Sequence, residues 1–214
     1  MTVPKLRSVG FAASLVASPL LIFAYWLLYP AYGELHPVAM LRDITGHAAA
    51  TTAADTCIFI GVFLAVPATL AQMRVLGGKA PRLTLIGGVL SMAGWIALVG
   101  VLMGDVLATQ MSPSGTPPSF VELFERFMGS PFMIALTVVA TMHVVGGVLL
   151  GIALFRTRVI PRWAGLIVAI TPVIHLGSNI AGLFVVDEAT WLALAVAYLF
   201  VARVMMQASA DGLA

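Results

Sequence analysis

Residues 131–155 read PFMIALTVVATMHVVGGVLLGIALF, a stretch that contains no Asp, Glu, Lys or Arg. A helix needs about 20 consecutive apolar residues to cross the hydrocarbon core of a bilayer, and this stretch is long enough. Further long and nearly uncharged stretches lie on both sides of it. The sequence therefore predicts six transmembrane helices, at residues 9–30, 47–72, 83–105, 131–155, 163–186 and 189–206.

The composition supports the same fold class. Hydrophobic residues make up 61% of the 214 residues, charged residues make up 9%, and the mean hydropathy is +1.05. Too few polar groups remain to coat a water-soluble globule, so we expect an all-α, polytopic membrane protein whose environment is the lipid bilayer. Residues 1–214 are predicted to form a single six-helix transmembrane domain. The single cysteine, Cys57, excludes an internal disulfide and a Cys-rich metal site.

The basic residues predict the orientation, because Lys and Arg that flank transmembrane spans are retained in the cytoplasm. In the six-span arrangement most of them fall on one side, while Arg42 and Arg126 fall on the other. Both termini are therefore predicted to be cytoplasmic, in a multi-pass protein of the inner (cytoplasmic) membrane. These loops account for the formal charge of +2 and the pI near 9, so we expect no nucleic-acid partner. The residues on the cytoplasmic side are Lys5, Arg7, Arg74, Lys79, Arg82, Arg156, Arg158, Arg162 and Arg203.

The outer loop between the third and fourth spans is predicted to carry a short amphipathic helix near residues 120–128. Ser119 and Glu122 have the spacing of a capping box. Phe120, Phe124 and Phe127 recur at helical spacing after it. We expect this helix to lie along the outer membrane interface.

Two histidines, His143 and His175, lie near the middles of the fourth and fifth spans. An ionisable side chain at that depth costs a few kcal/mol, about 2.5–3.5 on insertion scales for charged residues, so each histidine marks a candidate functional site. At about 1.5 Å per helical residue, both lie roughly 18 Å below the outer ends of their spans. A short loop joins the two spans, which should be antiparallel neighbours. The imidazoles meet if both helix faces turn inward.

The residues that share helix faces with these histidines suggest a pocket. Gly146 and Gly147 follow His143 and form a small-residue surface that permits close approach of a helix or a flat ligand. Ser178 and Asn179 follow His175 and continue a polar stripe outward.

The second span carries a further polar stripe, because His47, Thr51 and Asp55 recur at helical spacing. With the histidines, Asp55 and Asn179 would outline a polar pocket in the outer half of the bundle. The candidate ligand-binding or proton-handling residues are Asp55, Asn179, Ser178, Thr51 and His47.

The best functional hypothesis is a haem or metal site in a redox role. In the haem reading, His143 and His175 ligate one haem b, with Gly146 and Gly147 making room for the macrocycle. In the metal reading, Asp55, His143 and His175 bind zinc or another divalent metal, which would also suit a membrane hydrolase. The sequence leaves open whether the protein is an enzyme.

Two other functional hypotheses remain. The pocket could bind a small ligand or couple protons in a transporter or sensor, and a chain of this length would then need to form a homo-oligomer to build a translocation path. Alternatively, the chain is a structural accessory subunit of a larger membrane complex. It would then hold no cofactor, and its polar groups would only join the helices.

The stretch HVVGGVLLGIALFRTRVIPRWAG, residues 143–165, resembles the late hairpin of a family of uncharacterised bacterial six-helix integral membrane proteins. The shared features are the small residues after His143, a basic loop, and the Pro161-Arg162-Trp163 sequence that opens the next helix. The resemblance implies the six-helix fold and its topology. It implies no activity, and neither Asp55 nor His175 lies within it.

Overall fold

The computed structural model describes residues 3–34, 36–111 and 117–210. Over these residues the regular structure is entirely helical. The helices are α1 (Val3–Leu28), α2 (Pro37–Gly46), α3 (Ala48–Leu76), α4 (Pro81–Val101), α5 (Met103–Met111), α6 (Pro118–Met128), α7 (Pro131–Ala140), α8 (Met142–Thr157), α9 (Arg162–Ala181) and α10 (Phe184–Ala210).

The described residues contain six segments that are long and apolar enough to cross a membrane, which confirms the predicted all-α polytopic fold. An even number of spans puts both ends of the described chain on one side of the membrane. The basic residues predict this side to be cytoplasmic. The six segments are Leu6–Leu28, Ala48–Leu76, Pro81–Gln110, Pro131–Thr157, Arg162–Ala181 and Phe184–Ala208.

Two spans are interrupted. The third consists of α4 and α5, which meet at Leu102, and the fourth consists of α7 and α8, which meet at Thr141. At the second break, the Val144 N–H bonds to the carbonyl of Thr141 rather than to that of Ala140. Pro172, in contrast, lies inside α9 without ending it.

The predicted amphipathic helix is confirmed as α6, although its start differs from the prediction. The helix begins at Pro118, so Ser119 lies within its first turn and is not the capping residue. Proline is favoured at this position because its missing N–H would be unpaired there. Residues 112–116 of the preceding loop lie outside the described residues. A second short helix in the outer loops, α2, was not predicted.

The spans form a closed ring in chain order. Helix α1 packs on α3, α3 on α4, α4 on α8, α8 on α9, and α9 on α10, while α10 packs back on α1. Helix α3 also touches α8 and α10 across the ring. Every span thus presents one face to a common centre.

Glycines allow the close contacts within this ring. A Cβ on Gly146 would clash with the backbone of Ser91 on α4, and a Cβ on Gly94 would clash with the backbone of His143 on α8. On the opposite side of the ring, the Ser18 hydroxyl donates a hydrogen bond to the Gly61 carbonyl at 2.8 Å. Small residues are the usual means of close helix packing in membranes, where lipid provides no hydrophobic driving force.

The turn between the fifth and sixth spans differs most from the prediction. Helix α9 ends at Ala181 and is capped by Gly182, which has φ +68°. The Leu183 N–H bonds to the carbonyl of Ser178 at 2.8 Å. This hydrogen bond is characteristic of the Schellman motif, which closes helices at a left-handed residue, usually glycine. The sequence interpretation placed the turn at residues 187 and 188. Asp187, which it assigned to the outer loop, therefore lies in the first turn of α10.

The packing at Gly146 can be tested with a matched pair of substitutions. Gly146→Ala should lower the free energy of unfolding by about 1–3 kcal/mol, because the added methyl group forces α4 and α8 apart. Gly177→Ala should leave it unchanged or raise it by up to about 1 kcal/mol, because its Cβ would meet open space and alanine favours helix. Thermal unfolding in detergent measures both. Equal stabilities for the two variants would contradict the packing described here.

Candidate functional site

A cavity of about 250 Å³ occupies the centre of the ring, and every span contributes to its wall. Its charged or titratable lining residues are Asp105, His143 and His175, with Tyr25 beside them. No Lys or Arg is among its described lining residues. The remaining lining is aromatic, aliphatic or amide, namely Ile22, Trp26, Ile58, Val62, Trp95, Leu98, Leu102, Asn179 and Trp191.

Four rings cross the floor of this cavity, and we refer to them as the aromatic row. The rings of His143 and His175 lie 6.3 Å apart between their centroids. Trp95 lies against His143 at 4.3 Å with an interplanar angle of 31°, and Trp191 meets His175 edge-on at 4.9 Å. The structure thus brings together the two histidines that the sequence placed at one depth.

A break in the fourth span orients the imidazole of His143. Its Nδ1 lies 2.6 Å from the carbonyl oxygen of Ala140. This carbonyl would accept the N–H of Val144 in a continuous helix, but that N–H bonds to Thr141 instead. Because a carbonyl can only accept, Nδ1 carries the proton, and the neutral ring keeps its lone pair on Nε2.

A carboxylate orients the imidazole of His175. Its Nδ1 lies 2.6 Å from Oδ1 of Asp187, whose side chain is 0% exposed. Asn179 donates from Nδ2 to Oδ2 of Asp187 at 3.1 Å and to the carbonyl of His175 at 2.8 Å. The carboxylate is thus held from two sides, and Nε2 again keeps the lone pair of the neutral ring.

Sequence reasoning missed Asp187 and Asp105 as site residues, because it placed both at or beyond the outer ends of spans. For each residue, the sequence contains a feature that indicates its place within a span. Gly182 is a typical helix end, and ending the fifth span there moves Asp187 into the sixth. Val106, Leu107 and Ala108 continue the apolar run past Asp105, which lines the cavity beside Tyr25.

The structure does not bring Asp55 into the central cavity. Its carboxylate accepts a hydrogen bond from the Thr109 hydroxyl at 2.9 Å and lines a separate pocket between α3 and α5. The Thr51 hydroxyl donates to the carbonyl of His47, and His47 is exposed immediately before the first residue of α3. These residues of the second span are therefore not among the described residues that line the cavity of His143 and His175.

The small residues near the histidines serve mainly to pack helices. Gly146 faces the backbone of α4 at Ser91, and Gly147 faces Pro172 on α9. The Ser178 hydroxyl donates to the carbonyl of His175 within its own helix. Gly147 also borders a smaller cavity on the inner side of the aromatic row.

In the part of the chain that the structure describes, the donor set around the histidines contains two imidazoles and no third close ligand. Among the described residues, no group of three or more His, Cys, Asp or Glu side chains is arranged to hold a metal ion. His143 and His175 would therefore be the residues that hold a metal ion here.

Comparison of the chain with protein-family models, with curated proteins and with solved structures finds no match. The geometry of the site is therefore the basis for inferring a function.

The role of Asp187 can be tested against its neighbour Glu188. Asp187→Asn should lower the free energy of unfolding by about 1.5–3 kcal/mol, because hydrogen bonds to a buried charged group are lost. Glu188→Gln removes the adjacent, partly exposed carboxylate and should change the stability by less than about 0.5 kcal/mol. Thermal unfolding in detergent compares the two variants, and an equal loss in both would exclude a special role for Asp187.

Proposed function

We propose that the protein binds a transition-metal ion, copper or iron, between His143 and His175 and uses it in a redox role near the centre of the membrane. The observation that carries the proposal is the orientation of the two rings. Each holds its Nδ1 proton against an oxygen acceptor and leaves Nε2 free of hydrogen bonds to the described residues. Histidines that ligate metals characteristically donate their other ring N–H to a carbonyl or carboxylate in this way.

The ring separation supports the same proposal. Metal–nitrogen distances of about 2.0–2.1 Å, together with the radius of each ring, put the centroids of two opposed imidazoles about 6 Å apart on one ion. The observed separation is 6.3 Å. Imidazole suits copper, iron and zinc, of which copper and iron change oxidation state. When bound, the ion would supply one-electron chemistry.

Haem b fits the geometry less well than a bare ion. Pockets that enclose drug-sized ligands have volumes of about 300–1000 Å³, whereas this cavity has about 250 Å³. The Trp95 and Trp191 rings pack against the two imidazoles at 4.3 and 4.9 Å between centroids. Gly146, which the sequence assigned to the haem face, packs against α4.

Metal titration of the purified protein tests the proposal. After chelator treatment, the wild type should bind about one Cu²⁺ or Fe²⁺ per chain, while His143→Ala and His175→Ala should bind none at the same concentration, because each removes one of two ligands. Asp187→Asn should weaken binding about 10–100-fold, as loss of an outer hydrogen-bond partner does elsewhere. Elemental analysis and isothermal titration measure these effects.

His47→Ala is the matched control, because it removes an exposed histidine outside the cavity. It should bind metal as the wild type does. Wild-type protein that binds no more metal than the His143→Ala variant would overturn the proposal. Binding of zinc alone would overturn the redox role, and a Soret band in the visible spectrum would replace the bare ion with haem.

A specific observation also favours a second candidate, a transporter or sensor for a small organic cation. The cavity combines the carboxylate of Asp105 with the rings of Trp26, Trp95 and Trp191. Aromatic faces and a carboxylate are the groups that recognise quaternary ammonium ligands such as choline. Here the histidines would form the floor of the ligand site.

Thermal shift with choline, compared with a neutral alcohol of the same shape, tests this candidate. Choline should raise the melting temperature of the wild type and not that of Asp105→Asn, because the substitution removes the carboxyl group that would pair with the cation. Asp55→Asn is the control and should keep the shift, since Asp55 lines a different pocket. Equal shifts with choline and the neutral alcohol would exclude cation recognition.

A further inference from the structure

A pocket of about 350 Å³ lies between α1 and α3 at the inner end of the bundle. These two helices pack against each other in the ring. The described lining residues are Arg7 and Phe11 on α1 and Leu70, Met73 and Arg74 on α3. None of the five is among the described residues that line the central cavity, so this pocket is a separate site.

Two arginines give the pocket its charge. Arg7 lies near the start of α1 and Arg74 lies in the last turn of α3, and both side chains are exposed. The Cζ atom of Arg74 lies 5.2 Å from the ring centroid of Phe11, a cation–π contact that joins the two helices. Among the residues that the structure describes, neither guanidinium forms an ion pair with a carboxylate, and no Asp or Glu lines the pocket. The pocket therefore presents two positive charges that the described part of the chain does not neutralise.

The apolar lining residues lie deeper in the bilayer than the arginines. Phe11 follows Arg7 by four residues, and Leu70 precedes Arg74 by four. Residues four apart share a helix face, so an apolar side chain lies roughly 6 Å below each arginine at about 1.5 Å per residue. Phe63, two turns further along the same face of α3, is also exposed. The surface is therefore cationic at the headgroup level and apolar toward the centre of the bilayer.

We propose that this pocket binds one anionic phospholipid of the inner leaflet. The lipid phosphate pairs with Arg7 and Arg74, and an acyl chain lies along Phe11 and Leu70. Arginine suits this role because its planar fork of N–H donors matches the oxygens of a phosphate group. Basic pockets between transmembrane helices on the cytoplasmic side bind anionic headgroups in other membrane proteins.

The charge and the shape of the pocket both favour this ligand over related ones. A zwitterionic lipid would bring an ammonium group toward two guanidinium groups with no carboxylate among the described lining residues. A free phosphate ion would leave the apolar side chains of a pocket of about 350 Å³ without a partner. An anionic phospholipid satisfies the arginines and covers the apolar side chains at once.

The proposal goes beyond the proposed function and shares no residue with it. A lipid in this pocket would contact both α1 and α3 and hold their inner ends together. Because the histidines take no part, lipid binding and metal binding can each fail without affecting the other.

Lipid competition followed by native mass spectrometry tests the site. The full chain in an uncharged detergent receives equal amounts of phosphatidylglycerol and phosphatidylethanolamine with the same acyl chains. Both lipids carry the phosphate, but only phosphatidylglycerol has a net charge. The first lipid bound to each wild-type chain should be phosphatidylglycerol by a factor of about 10 or more, because each arginine near an anionic group contributes roughly fivefold in affinity. The double variant with Arg7→Gln and Arg74→Gln should lose this preference.

The matched control is the double variant with Arg82→Gln and Arg156→Gln. It also removes two exposed arginines from neighbouring helices on the inner side, one in the first turn of α4 and one in the last turn of α8, and neither lines the pocket. Substitution of exposed side chains has little effect on stability, so both double variants should fold, and the control should keep the wild-type preference.

Three results would overturn the proposal. In the first, the wild type shows no preference for phosphatidylglycerol. In the second, both double variants lose the preference equally, which would assign it to net charge rather than to the pocket. In the third, inorganic phosphate at the same concentration displaces the lipid, which would make the pocket a site for the free ion.

Discussion

Buried polar groups in a bilayer must find their partners within the protein, because the hydrocarbon offers none. The hydrogen bond between His175 and Asp187 meets this requirement at the centre of the site, with Asn179 holding the other carboxylate oxygen. It joins α9 to α10 and sets the direction of the imidazole. The neighbouring imidazole of His143 instead donates to the backbone carbonyl of Ala140, which is available because the fourth span is broken at Thr141.

The closed ring of helices brings these two hydrogen-bonded histidines together in one site. Each span packs on its neighbours in chain order, and glycine contacts between α4 and α8 bring Trp95 and His143 within stacking distance. The aromatic row then divides the interior into an outer and an inner cavity. The proposed metal site lies in this row, because His143 and His175 are two of its four rings.

Most of the fold could be predicted because apolar length is a local property of the sequence. The six spans and the amphipathic helix α6 follow from runs of residues and from their spacing. The site was predicted less completely. The depth of His143 and His175 followed from counting residues, whereas Asp55 was assigned to their pocket from the polar stripe that it forms with His47 and Thr51. Neither depth nor a stripe determines the direction in which a helix face points.

The sequence by itself determined that this chain is a six-span helical membrane protein and that two histidines lie at one depth within it, since both properties depend on apolar length and residue count. Only the tertiary structure decided which polar groups meet those histidines. The left-handed residue Gly182 closes the fifth span, so Asp187 lies in the first turn of the sixth. The third span extends past Asp105, so this residue lines the cavity. Helix rotation results from packing among all six spans, which no single stretch of sequence specifies.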